Sequence, residues 1–154
     1  MTRLHRAALV VLAAGLAACG TGSPTEPALQ VSAIRDGTLP PGPFDPAEIH
    51  DAWVEGDLLH LRVSYGGGCR KHDFALRFSR LFLHSDPPQA LLYLAHDANA
   101  DPCRAIVGDH LVFDLRPLKR VYLGGKRGGH GTVDLRLYAP GEAESFPSLI
   151  RYVF

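Results

Sequence analysis

The chain has 154 residues, 46% of them hydrophobic, with 16 basic and 16 acidic side chains, 8 histidines and 3 cysteines. That length supports one well-packed domain rather than two. A balanced charge lacks the broad positive field that nucleic-acid binding needs, which excludes nucleic acid as a partner.

The first predicted element is a signal segment. Arg3, His5 and Arg6 form a basic head, and Ala7 to Ala18 is an uninterrupted apolar or glycine run. The run is too short to span a bilayer and has the length of a signal h-region. Leu16-Ala17-Ala18-Cys19 follows, and it resembles the bacterial lipoprotein signal. The resemblance implies cleavage before Cys19, acylation of that cysteine and attachment of the mature chain to the cell-envelope membrane through the lipid. Residues 1–18 read as the signal peptide; their loss removes Arg3 and Arg6 and leaves 14 basic against 16 acidic residues, a net charge of −2. No later apolar run approaches the length of a transmembrane helix, so the lipid is the expected membrane link. Residues 19–27 read as the lipidated cysteine and a flexible tether, small, polar and proline-containing from Gly20 to Pro27. Lipoproteins retained at the inner membrane often carry aspartate after the cysteine. Gly20 in that place favours the outer membrane if the host is Gram-negative.

Residues 28–154 predict a single all-β domain, either a β-sandwich (Ig-like or similar) or a small barrel, of about seven to nine short antiparallel strands. A weak first strand covers Leu29 to Ile34. Leu39 to Pro46 is an extended surface loop, because its prolines exclude a central strand. A helical turn is an option at the start of 45–52. Ile49 to Val54 then pairs with Leu58 to Tyr65 across Glu55-Gly56-Asp57. In the second of these, Leu59, Leu61, Val63 and Tyr65 alternate with His60, Arg62 and Ser64. Strands 73–83 and 89–96 flank the turn His84-Ser85-Asp86-Pro87-Pro88. Further strands are predicted at 110–115, 118–123, 131–138 and 148–154, and no sustained helical periodicity with caps is seen.

A hairpin centred near Asp86 places Phe78 opposite Leu94 and Leu76 opposite His96, all on one apolar face. The same register brings Cys69 opposite Cys103. With Cys19 assigned to lipid, these two remain as a pair in an oxidising compartment, so a disulfide is expected. Closing that loop contributes roughly 3–4 kcal/mol on the chain-entropy model.

The alternative is a metal site. His72, His96 and the two cysteines are zinc-ligand types, while Asp97, Asn99 and Asp101 alternate like the oxygen ligands of a calcium loop. Against zinc, the register puts His72 about 13 Å along the hairpin from His96. Against calcium, the loop lacks a central glycine and a distal glutamate, and an Asx-rich loop capping its own backbone explains the same residues. Gly124 to Gly131 resembles a phosphate loop only superficially, since no Gly-Lys-Ser/Thr closes it; it reads as a hairpin tip. With Arg116, Lys119 and Arg120 it makes a local basic patch suited to anionic headgroups or an acidic partner.

The segments Gly66 to Phe74, Ser85 to Ala90, His96 to Cys103 and Phe113 to Leu118, together with Cys19, resemble a group of uncharacterised bacterial lipoproteins with one small β domain. The resemblance covers roughly residues 60–120. It implies location and fold, and no activity. No Gly-x-Ser-x-Gly or paired-carboxylate motif is present. The reading is a non-catalytic envelope lipoprotein with a binding or structural role and an envelope protein or polymer as partner. The alternatives are a calcium or zinc protein using the 96–103 loop, and an inhibitor of an envelope enzyme.

Overall fold

The computed structural model describes residues 31–36, 42–126, 128–142 and 144–154. The expected signal segment, Cys19 and the expected tether lie outside the described residues. Among the described residues, nine strands form two sheets: β1 (Val31–Ala33), β2 (Arg35–Asp36), β3 (Ala47–Glu55), β4 (Leu58–Gly67), β5 (Asp73–Leu83), β6 (Gln89–Asp97), β7 (Ala105–Asp114), β8 (Thr132–Tyr138) and β9 (Ile150–Val153). One sheet runs β1-β7-β4-β3 and the other β2-β5-β6-β8-β9, so the domain is a sandwich with open edges and not a barrel. β1 and β2 belong to different sheets. Ile34 between them is buried in the core, so one extended segment crosses from sheet to sheet at that residue.

The alternation in β4 works as expected: Leu59, Leu61 and Val63 are buried between the sheets with Phe113 of β7, and Leu76, Phe78, Leu92, Leu94, Val133, Leu135, Leu137 and Tyr152 face them from the second sheet. β3 and β4 join through Gly56-Asp57, and Gly56 takes φ 58°, which glycine adopts without steric cost. β3 starts as strand at Ala47, so the optional helical turn is absent there.

The structure corrects four further expectations. The sheets are mixed: β1–β7, β2–β5 and β6–β8 are parallel pairs. Residues 118–123 form no strand. They belong to a helix, α1 (Arg116–Tyr122), with Pro117 in its first turn. Leu118, Val121 and Tyr122 pack from it onto the core, the i, i+3, i+4 spacing of a helix face. Gly124 (φ 59°) closes it in a Schellman arrangement, with Gly125 N–H donating to Arg120 C=O and Gly124 N–H to Val121 C=O. The glycine-rich stretch therefore follows a helix and is not a hairpin tip. Its basic neighbours are partly neutralised, since Arg116 pairs with Asp114 at 2.7 Å and Lys119 approaches Asp57 at 3.5 Å.

The fourth correction is the β5–β6 register. Phe82 faces Ala90, as a turn centred near Asp86 requires, but Phe78 faces Leu92, Leu76 faces Leu94 and Phe74 faces His96. An irregularity between Phe78 and Phe82 inserts two extra residues in β5. A shift of two keeps every side chain on its face, so the apolar stripe survives while the partners change.

At the turn end of β3–β4, Tyr152 donates its hydroxyl proton to Asp57 at 2.6 Å. Burial, followed by that hydrogen bond to Asp57, pushes the Tyr152 phenol well above its ordinary range. The contact ties the last strand to the first hairpin.

Candidate functional site

The polar residues singled out in the sequence gather at the open end of the β5–β6 hairpin. Cys69 and Cys103 form a disulfide with Cα atoms 5.7 Å apart. Between them lies Asp101. One of its carboxylate oxygens, Oδ2, accepts hydrogen bonds from three successive backbone N–H groups, Gly68, Cys69 and Arg70, at 3.0, 2.9 and 2.8 Å. The other, Oδ1, accepts from Cys103 N–H at 2.8 Å. Successive amides of this kind make an anion nest, and here the chain supplies its own anion. Burial pushes the Asp101 carboxyl up. The bonds from Cys103, Arg70, Cys69 and His72 outweigh it and hold the carboxyl well below the usual carboxylate range.

A line of hydrogen bonds runs inward from Asp101. His72 Nε2 lies 3.2 Å from Asp101 Oδ2, His72 Nδ1 lies 2.7 Å from His96 Nε2, and His96 Nδ1 lies 3.0 Å from the Asp45 carbonyl. The carbonyl and the carboxylate at the two ends only accept, so each terminal ring nitrogen carries a proton. The central contact joins the two rings, and the His72 and Asp101 side chains that meet at its outer end are 0% and 1% exposed. Around the pair, Phe74 stacks on His96 at 4.4 Å between ring centroids, and Tyr65 lies 4.6 Å from His72 and 5.1 Å from His96.

The sequence register separates His72 from His96, and the structure overturns this. His72 precedes β5 and its ring passes over Gly67, where a Cβ would sit 2.5 Å from His72 Nε2. The missing side chain makes the approach available. Asp45, Tyr65 and Phe74 were not singled out from the sequence. Asp45 arrives because residues 43–45 run beside β6: Asp45 N–H donates to His96 C=O, and the Asp45 carboxylate accepts from Ala98 N–H at 2.7 Å.

The remaining loop residues do not converge with this group. Asp97 Oδ1 accepts from Asn99 N–H at 2.8 Å, and the Asn99 amide donates to Lys71 C=O and Asp73 Oδ2, both at 2.9 Å. Asn99 and Ala100 take φ 50° and 53° in the resulting turn. Cys69, Asp101 and Cys103 place potential donor atoms within 4.8 Å of one another, but the two sulfurs are bonded together and offer no thiolate. Both ring nitrogens of His72 and of His96 are used in the line of bonds just described, so a cation there would have to displace bonds already made.

Beside this end lies an open cleft of about 560 Å³ between the sheets. Ile49, Tyr65, Ile106 and Phe146 supply apolar wall, and Glu48, Glu142 and Glu144 give it an acidic rim. Ile106 is 81% exposed.

No protein-family model matches the sequence, and a search of curated proteins finds no match. Solved structures of bacterial proteins share the fold. A NigD-like immunity protein from Bacteroides caccae superposes with a TM-score of 0.53 at 16% identity, over 80% of this chain and 59% of that one. A protein described as toxin-related from Parabacteroides distasonis gives 0.52 at 16% identity, over 82% and 61%. This chain therefore spans about three-fifths of the length of those proteins. At such identities the likeness establishes the fold.

Proposed function

We propose that this is a lipid-anchored, non-catalytic module of the bacterial envelope that binds another envelope protein through the cleft beside its disulfide-bonded end. The observation that carries the reading is the cleft itself: an apolar wall capped by a highly exposed isoleucine and rimmed by three glutamates. Exposed apolar area of this kind is stabilised by a covering partner, and the rim favours one with basic side chains around an apolar anchor. The neighbouring histidine–aspartate group fits a structural task, since its polar atoms are hydrogen-bonded to one another and shielded. The Leu16-Ala17-Ala18-Cys19 motif supports the anchor, with Gly20 favouring the outer membrane.

Photo-crosslinking in intact envelopes tests the binding surface. A photoreactive residue at Ile106 is expected to give one discrete adduct, whereas the same residue at Leu83, exposed at the far end of β5, gives none. Equal labelling from both positions, or no adduct from Ile106, refutes the cleft. Metabolic labelling with a fatty-acid analogue tests the anchor separately. Label retained after Cys19→Ala refutes it.

Inhibition of an envelope enzyme is the second reading. It takes support from the shared fold of the NigD-like immunity protein, which is analogy at the level of fold. It predicts that a purified envelope enzyme is inhibited by the wild type and not by a variant carrying Ile106→Asp.

A further inference from the structure

The outward face of the β1-β7-β4-β3 sheet carries a second histidine pair, independent of the cleft and of the hairpin end. Leu59, Leu61 and Val63 of β4 and Leu111 and Phe113 of β7 turn toward the core, so His60, Arg62 and His110 turn the other way. In the antiparallel register His60 faces Val112 and Arg62 faces His110, which makes His60 and His110 diagonal neighbours on that face. Their ring nitrogens meet, with His60 Nδ1 3.1 Å from His110 Nε2.

His60 is only 8% exposed, and its other nitrogen, Nε2, is buried without a hydrogen-bond partner. The Glu55 carboxylate lies 3.9 Å from it. Neither neutral tautomer satisfies this arrangement. If Nδ1 carries the proton, a bare nitrogen lone pair at Nε2 faces a carboxylate in a buried place. If Nε2 carries it, the donor stops short of its acceptor. Trp53 stacks on His60 at 4.9 Å with an 8° interplanar angle and tilts against His110 at 5.3 Å, fixing both rings.

We infer that His60 Nδ1 and His110 Nε2 form a binding site for a late first-row divalent cation, copper(II) above zinc(II). Imidazole-to-metal distances are about 2.0–2.1 Å. Two nitrogens 3.1 Å apart then subtend about 98° at a shared ion, between the square-planar and tetrahedral angles. Metal on Nδ1 requires the proton of His60 on Nε2. Ligating histidines typically donate that second N–H to a carboxylate, and Glu55, 81% exposed on its own strand end, needs to close less than an ångström to accept it. The buried nitrogen without a partner is then explained. Burial, and next the neighbouring His110, lower the His60 pKa, with Glu55 opposing. Arg62, on the same face, lies over the Trp53 ring at 5.2 Å and reaches toward Asp51 at 3.8 Å. Imidazole pairs favour copper over zinc in the Irving–Williams order, and oxygen-seeking calcium and magnesium are excluded.

Trp53 is the single tryptophan of the chain and touches both ligands, so it reports directly on the site. The untagged full chain in detergent is titrated with copper(II) chloride at neutral pH while tryptophan emission is read. The expected result is saturable quenching complete at one equivalent, with weaker competition by zinc and none by calcium. His110→Gln should abolish the saturable phase while leaving the thermal melt in place, because His110 is half-buried at the sheet surface. Glu55→Gln, an exposed change that cannot disturb the core, should weaken binding about 10- to 100-fold. His130→Gln should change nothing. Absence of saturable quenching in the wild type, or quenching unaltered by both His110→Gln and Glu55→Gln, overturns the site.

Discussion

Replacing both Cys69 and Cys103 by serine should destabilise the domain by an amount calculable from the chain alone. The bridge spans 34 residues. On the chain-entropy model, closing a loop of that length removes about 12.6 cal/mol/K from the denatured ensemble, or roughly 4 kcal/mol at 25 °C. With an unfolding entropy near 2.1 cal/mol/K per residue, the melting temperature should fall by about 15 °C. The native loop has a second set of fastenings. Asp101 accepts from Cys69 N–H and Cys103 N–H whether or not the sulfurs are joined. The folded double variant should therefore keep its geometry, and the loss should arise in the unfolded state. Urea unfolding followed by circular dichroism reads the stability change, and NMR shifts of His72, His96 and Asp101 read the native geometry. A loss below about 1 kcal/mol contradicts the loop-entropy account. A full loss accompanied by collapse of the His72 and His96 shifts also refutes it, because the disulfide would then be organising the native site.

Three other changes probe separate contacts. Asp101 has its folded-state pKa depressed, so its stabilising contribution is present above the unfolded carboxylate value, about 4, and is lost as pH falls toward the folded one. Urea midpoints of the wild type should drop through that acid window, and Asp101→Asn should be less stable at neutral pH and show a flatter acid dependence; parallel curves would contradict the assignment. Gly67→Ala drives a methyl against His72 Nε2 at 2.5 Å and should cost about 1–3 kcal/mol, with the NMR shifts of the His72 and His96 ring protons displaced. Tyr152→Phe removes the 2.6 Å bond to Asp57, and because Asp57 stays half-exposed beside Lys119 the loss should be about 1 kcal/mol in chemical denaturation.

The parts of this fold legible in the sequence are those written within one strand or one tight turn. Leu59, Leu61 and Val63 announce a half-buried strand, and Gly56-Asp57 announces the hairpin that precedes it. The Cys69–Cys103 pairing was expected from a register that the structure shifts by two; both cysteines lie beyond β5 and β6, and the bridge forms where the flanking loops meet around Asp101. The same shift hid the contact between His72 and His96. Nothing in Ser79-Arg80-Leu81 marks an irregularity, because an inserted pair is stabilised by its surroundings and not by a residue-specific preference. The helix α1 was hidden differently. Leu118, Arg120 and Tyr122 alternate like a strand, while Leu118, Val121 and Tyr122 fit a helix, and seven residues are too few for periodicity to decide. The Pro117 and Gly124 punctuation did carry the answer. The His60–His110 pair lay furthest from view. Each histidine is an ordinary outward residue in its own strand, and only the pairing of β4 with β7, 50 residues apart in the chain, brings the two rings together. The chemistry that a single sequence most readily exposes here is the local, cysteine-anchored cluster, whose ligating atoms are already committed to one another. The pair with an unsatisfied nitrogen arises from long-range strand order, and the copper titration bears on that pair.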